Sequence, residues 1–168
     1  LHRFLIWRYR HISNKNFILI LSVLVGFLAG IVSVFLKNIT HLIQLFIESG
    51  IISWQTTFYF ILPVIGLLIV YIFTKFVFKK TTQSAVPMIL YSLSKRNGII
   101  KTLQAYIPLL LAPITVGFGG SVGLLGPAVG SGSALSSSIS TLFHVPNKTR
   151  ILLIGCAAAG AISAVFKS

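Results

Sequence analysis

The segment Gly119-Gly120-Ser121-Val122-Gly123-Leu124-Leu125-Gly126-Pro127 is where the sequence offers chemistry, and that chemistry belongs to the backbone. Proline is favoured at the first position of a helix, where its missing N–H would have no helical partner. Glycines ahead of it allow positive φ and leave amides uncovered. A helix opening at Pro127 would present free N–H groups and the positive end of its dipole. Such an end attracts an anion without a formal charge. Partial charges also release an ion more readily than a buried arginine would. Interrupted helices with inward N-termini are a recurring arrangement in transporters.

A second candidate is Gln83-Ser84-Ala85-Val86-Pro87, where a proline again lies early in a short helical run and Ser84 adds a hydroxyl donor. Two N-termini aimed at one point could share a single anion. The glycines do not make a dinucleotide loop, because no strand precedes them and no acidic residue follows at the required spacing. The G-K-[ST] element of a phosphate-binding loop is absent too. A packing surface remains open as a reading, since Gly126 and Gly130 form a small-xxx-small pair. Catalysis has little to draw on. Glu48 is the one acidic residue, Cys156 is the one cysteine, and no metal-ligand spacing or nucleophile–base pair stands out. No enzyme activity, cofactor or metal is expected.

The elements that position these segments are apolar. Of 168 residues 55% are hydrophobic and 9% charged, against about 25% charged in an ordinary soluble domain. The mean hydropathy is +0.95. One small core cannot bury that excess, and lipid can. The net charge of +13 lies in short clusters between apolar runs. The positive-inside rule explains this better than nucleic-acid binding does.

Residues 1–16 read as a cytoplasmic amphipathic lead-in, or else a solvated tail, and 17–168 as the membrane domain. Phe17–Leu36 is long enough to span, with Lys37 ending the run; a signal peptide competes but lacks a clear cleavage site. Glu48-Ser49-Gly50 reads as a loop, and Ile51–Thr74 as a second span bent at Pro63 and Gly66. Thr81–Leu93 reads as re-entrant from the basic side. Thr102–Phe143 divides into a helix, a break at Gly117–Gly126 and a helix opening at Pro127. Ile151–Phe166 follows as a short helix, with Asn147 or Thr149 as its cap. Ser121, Ser131, Ser133 and Ser136–Ser138 are expected to bond helix backbones, and His41 and His144 to lie at span ends.

Taken together, the run from Gly120 to Ser168 resembles the CLC chloride channel and transporter family. That family shows G-x-x-G-x-E-G-P, a glycine-rich helix, a loop and G-x-A-A-G-x-x-A-x-F. Here the residues are GSVGLLGPAVGSGSAL and GCAAAGAISAVF. QSAVP resembles the family's G-S-G-I-P. The resemblance covers the chain from about Phe17 onward and implies an all-α membrane homodimer of inverted repeats, of which this chain supplies approximately the first. The family's central ion is held by the serine that maps to Ser84 and by a tyrosine expected beyond Ser168. The backbone of Gly123, Leu124, Leu125, Gly126 and Pro127 maps to the outer part of the filter.

Two departures carry information. The family's usual glutamate before G-P, which competes with chloride and carries protons in the exchangers, is Leu125 here. Ala85 replaces a family glycine, and its methyl is expected to narrow the inner site. The resemblance therefore implies a multi-pass cell-membrane protein, N-terminus cytoplasmic, conducting chloride or nitrate rather than fluoride without proton coupling. An exchanger of the same family and a non-conducting truncated subunit are the alternatives.

Overall fold

The computed structural model describes residues 14–51, 58–78, 85–100, 102–121 and 123–166. Those residues form six α-helices: α1 (Asn14–Ile51), α2 (Phe58–Phe73), α3 (Ala85–Lys95), α4 (Thr102–Gly117), α5 (Leu125–Leu142) and α6 (Asn147–Phe166). A π-helical turn, Thr74–Phe78, extends α2. No strand occurs among the described residues.

Helix α1 is apolar on every side, yet its faces differ. Phe17, Leu21, Val25, Ala29, Ser33, Leu36 and Thr40 recur at helical spacing and are buried. Leu19, Val23, Phe27, Ile31 and Phe35 on the opposite side are exposed. A soluble helix would carry polar residues there, so this face suits lipid. Ser33 and Thr40 donate to the carbonyls of Ala29 and Leu36, at 3.0 and 2.9 Å, so neither hydroxyl is left unpaired in the packed face.

The helix runs on past the expected loop at Glu48-Ser49-Gly50, to Ile51. Lys37 lies within it and donates to the Val165 carbonyl, 3.4 Å away near the end of α6. A cation suits that negative helix end. At about 1.5 Å per residue α1 is far longer than the roughly 30 Å hydrocarbon core, so it tilts or projects from it.

The core is the meeting of α1, α5 and α6, made by small residues. A Cβ built on Gly132 of α5 would lie 3.0 Å from Ala29 and 3.6 Å from Ala161. Gly30 of α1 meets the Gly160 carbonyl at 3.7 Å and Ala164 at 3.9 Å. Between membrane helices, where lipid removes most of the hydrophobic drive, such close backbone approach supplies the packing energy. Helix α2 sits outside this core. Its Gly66 admits Phe118, whose Cβ would stand 2.6 Å from an added methyl.

The remaining boundaries refine the sequence reading. The break between α4 and α5 is 118–124, narrower than expected, and α5 opens at Leu125, two residues ahead of Pro127. Helix α6 opens at Asn147 rather than Ile151, with the Arg150 amide bonded to the Pro146 carbonyl at 2.9 Å. Asn147 and Thr149 are thus first-turn residues, not caps. Most of the lead-in, Trp54, Lys79, Lys80, Gln83 and Ser84 lie outside the described residues.

Two of the helix ends have a clear cause. Helix α4 stops because Gly119 takes φ +86°, while the Gly120 and Gly119 amides bond back to Thr115 and Val116 at 2.9 and 3.0 Å. This is the six-to-one, five-to-two pattern of a Schellman motif. Helix α5 ends the same way, with Val145 bonded to Ser140 and His144 to Thr141, but the left-handed position is His144 at φ 51°. His144 is therefore held as a helix stop. Replacing His144 by Gly should stabilise the protein by about 1 kcal/mol, since only a residue with a Cβ is strained there. A thermal midpoint in detergent no higher than wild type would contradict this account.

Candidate anion site at the helix break

Helix α5 is the centre of the structure, and its composition is inverted relative to its surroundings. Ala128, Gly130, Ser131, Gly132, Ser133, Ala134, Ser136, Ser137 and Ser140 are all buried. Apolar helices enclose a core of glycine, alanine and serine. Ser131 and Ser138 donate to helix carbonyls as expected, at 3.0 Å each. Ser137 instead joins α5 to the α3–α4 link: it donates to the Gly98 carbonyl at 2.7 Å and accepts from the Ile100 amide at 3.1 Å. Ser133 and Ser136 do not bond the backbone; with Ser140 their hydroxyls are buried without a partner. That departs from the sequence expectation.

The N-terminus of α5 is open. Leu124 occupies the cap position at φ −73°, ψ −12° and makes no side-chain cap hydrogen bond. The first ladder bond is from the Ala128 amide to the Leu124 carbonyl, 3.0 Å. Pro127 has no N–H, so the amides left for a ligand at this helix start are those of Leu125 and Gly126. A Cβ on Gly123 or Gly126 would meet nothing within 4 Å, and Gly123 is exposed. Among the described residues none fills the space beside Gly126 that a Cβ would take.

The other member of the small-xxx-small pair does pack. A Cβ on Gly130 would lie 2.6 Å from that of Ala85, the first residue of α3. Two consequences follow. The Ala85 methyl is directed at Gly130 of α5 and is buried there. The start of α3 is also seated five residues along α5, roughly 8 Å below its N-terminus at 1.5 Å per residue. Because Gly98, beyond the end of α3, bonds Ser137, the two helices run in the same direction along this stretch. Their positive ends therefore point the same way, one a turn or two behind the other.

Charge is distributed to match. Phe17 and Phe143 stack edge to face at 6.1 Å, so the start of α1 and the end of α5 share one end of the bundle. Lys95 and Arg96 precede Asn97, whose carbonyl accepts from Arg150 in α6, and Lys148 lies in the same first turn of α6. Lys95, Arg96, Lys148 and Arg150 gather at the end opposite Leu125, while Lys37, bonded near the end of α6, lies at the other end. An apolar groove of about 680 Å³ between α1 and α6, lined by Phe27, Gly30 and Gly160 among others, lies on a different face of the bundle.

The family model described as "Voltage gated chloride channel" matches residues 65–168. This chain belongs to that family. The match contains the α3 start, the glycine break and all of α5 and α6. Chloride channel protein CLC-e of Arabidopsis thaliana is 27% identical over 157 residues, covering 86% of this chain and 21% of that protein. The chain thus spans about a fifth of its curated relative, which fits one repeat of the family's all-α membrane fold. No solved structure matches it. Family membership makes this a membrane protein. Among the described residues two helical stretches, Lys15–Ile47 and Asn147–Phe166, are long and apolar enough to cross a bilayer.

Proposed function

We propose that this chain supplies part of a passive chloride pathway, the ion being held by helix dipoles rather than by a charged side chain. The outer position is formed by the backbone of Gly123, Leu124, Leu125, Gly126 and Pro127, and the inner one by Ser84 at the head of α3. The observation that carries this reading is the seating of Ala85 on Gly130 behind an uncapped α5 N-terminus. It sets two positive helix ends side by side, offset by roughly 8 Å along the bundle, with no acid in the first turn of either. An anion passing between them exchanges one set of partial charges for another, which favours entry without preventing exit.

Leu125 decides between channel and exchanger in this proposal. A leucine neither titrates nor competes with an anion for the amides beside it. The working protein is taken to be a multi-pass homodimer with the basic end of the bundle in the cytoplasm. Full-length protein reconstituted in liposomes should carry chloride down its gradient while internal pH stays constant. A chloride gradient that drives protons uphill would overturn the passive reading in favour of exchange. Absence of any chloride flux from folded protein would favour a non-conducting subunit.

A further inference from the structure

Arg150, remote from the helix break, is a buried cation. This residue is 7% exposed, although it lies in the first turn of α6, where a positive side chain meets the positive end of the helix dipole. Among the described residues no carboxylate pairs with it. Glu48, the chain's one acid, stands about 31 residues along α1 from Phe17, or roughly 45 Å away from this end at 1.5 Å per residue. What Arg150 does have is weak. Nη1 donates to the Asn97 carbonyl at 3.4 Å and to Asn147 Oδ1 at 3.5 Å, both long for a guanidinium. Nε is sealed from solvent with no partner. Nη2 makes no hydrogen bond either, and is not sealed.

Of the three guanidinium nitrogens, Nη2 is therefore the donor left open to a ligand, while Nε is enclosed by the packing around it and Nη1 is already bonded. Around it the surface is positive. Lys95, Arg96 and Lys148 are exposed at the same end, and Arg96 lies over the Tyr91 ring, 5.6 Å from its centre. The α6 first turn adds amides that the helix does not use. A buried charge without a counter-ion is costly, and leaving it unpaired costs more than pairing it.

We propose that Arg150, with the α6 N-terminus and the rim of Lys95, Arg96 and Lys148, binds a phosphate group at the basic end of the bundle. The shared chemistry is a phosphate oxyanion, either in the headgroup of an anionic phospholipid or free in solution. The site is independent of the chloride pathway proposed above, because it lies at the other end of α5 and uses a side-chain charge.

The test is native mass spectrometry of full-length protein in detergent, titrated in one arm with phosphatidic acid and in another with inorganic phosphate. Wild type should retain bound phosphatidic acid if the source is lipid, or bind inorganic phosphate if it is soluble. Arg150→Lys keeps the charge but loses the planar guanidinium that presents Nη2, and should weaken that binding roughly tenfold or more. Lys148→Gln, a surface change that leaves the fold intact, should weaken it by a smaller factor in the same arm. Binding unaffected by either variant, or no binding in either arm, overturns the proposal. The second result would point to a carboxylate from elsewhere in the full-length protein as the partner of Arg150.

Discussion

Leu125→Glu should cut chloride flux about tenfold at neutral pH and make the remaining flux acid-activated. Leu125 is the first residue of α5, is 38% exposed, and lies beside the two amides that the proline leaves free. A carboxylate there would fold back on those amides and on the positive end of the dipole, gaining up to about 2 kcal/mol where the geometry is partly buried. It would then occupy the position an anion needs and repel the next one. A disadvantage of about 1.4 kcal/mol is a factor of ten in occupancy. Protonation removes the competitor, so flux should recover as pH falls through the carboxyl's range, near its ordinary value of about 4.3. The helix end lowers that midpoint and desolvation raises it. Leu125→Gln, similar in size and uncharged, should stay within about twofold of wild type at every pH. Equal flux from the Glu and wild-type proteins between about pH 4 and pH 7.5 would mean that the amides of Leu125 and Gly126 do not face the ion.

The part of this site that was legible in the sequence is the part that depends on backbone freedom. Gly119 stops α4 because a residue with positive φ is needed there, and glycine signals that directly. Pro127 marked a helix start to within two residues because a proline is tolerated anywhere in the first turn, where no ladder bond is lost. The helix start expected at Ile151 leaves Arg150 outside that helix. The signal was present: Arg150, Leu153, Ile154, Ala157 and Ala161 share one helical stripe, and all five are buried. Reading the helix as starting at Ile151 cut the arginine off from that stripe.

Other features had no sequence signal. Glu48, Ser49 and Gly50 look like a turn by composition, yet they lie in the last turn of α1, which carries 34 helical residues before them and ends at Ile51. The seating of Ala85 on Gly130 joins residues 45 apart, and no local pattern reports it. The buried hydroxyls of Ser133, Ser136 and Ser140 also went unforeseen. Serine usually returns its proton to the preceding turn, and nothing in the sequence says which will not. Packing decides that, through neighbours that the chain brings in from far away.

The largest effect on folding should come from Gly160→Ala, and the contact that causes it is asymmetric. A Cβ on Gly160 would overlap the backbone carbonyl of Gly26, with the Gly26 carbon atoms 3.0 Å away. No rotamer change relieves this, because the obstacle is main chain in the middle of a helix. Helices α1 and α6 would have to separate, and the close contacts along their shared face would loosen together, since dispersion falls steeply with distance. Overpacking of this kind costs about 1–3 kcal/mol. A Cβ on Gly26 itself meets only the Cys156 carbonyl, at 3.6 Å, an ordinary contact. Gly155 meets nothing within 4 Å.

Gly26→Ala should therefore be nearly neutral and Gly155→Ala neutral or slightly stabilising, because alanine is the better helix former. Only Gly160→Ala should fall well below wild type in a detergent unfolding titration of the full-length protein. Gly160→Val should fall further or fail to give monodisperse protein. If Gly160→Ala unfolds at the same midpoint as Gly155→Ala, the two helices do not approach at that point. The packing that holds α5 in place, and with it the aim of its N-terminus, would then have to come from another pair of faces.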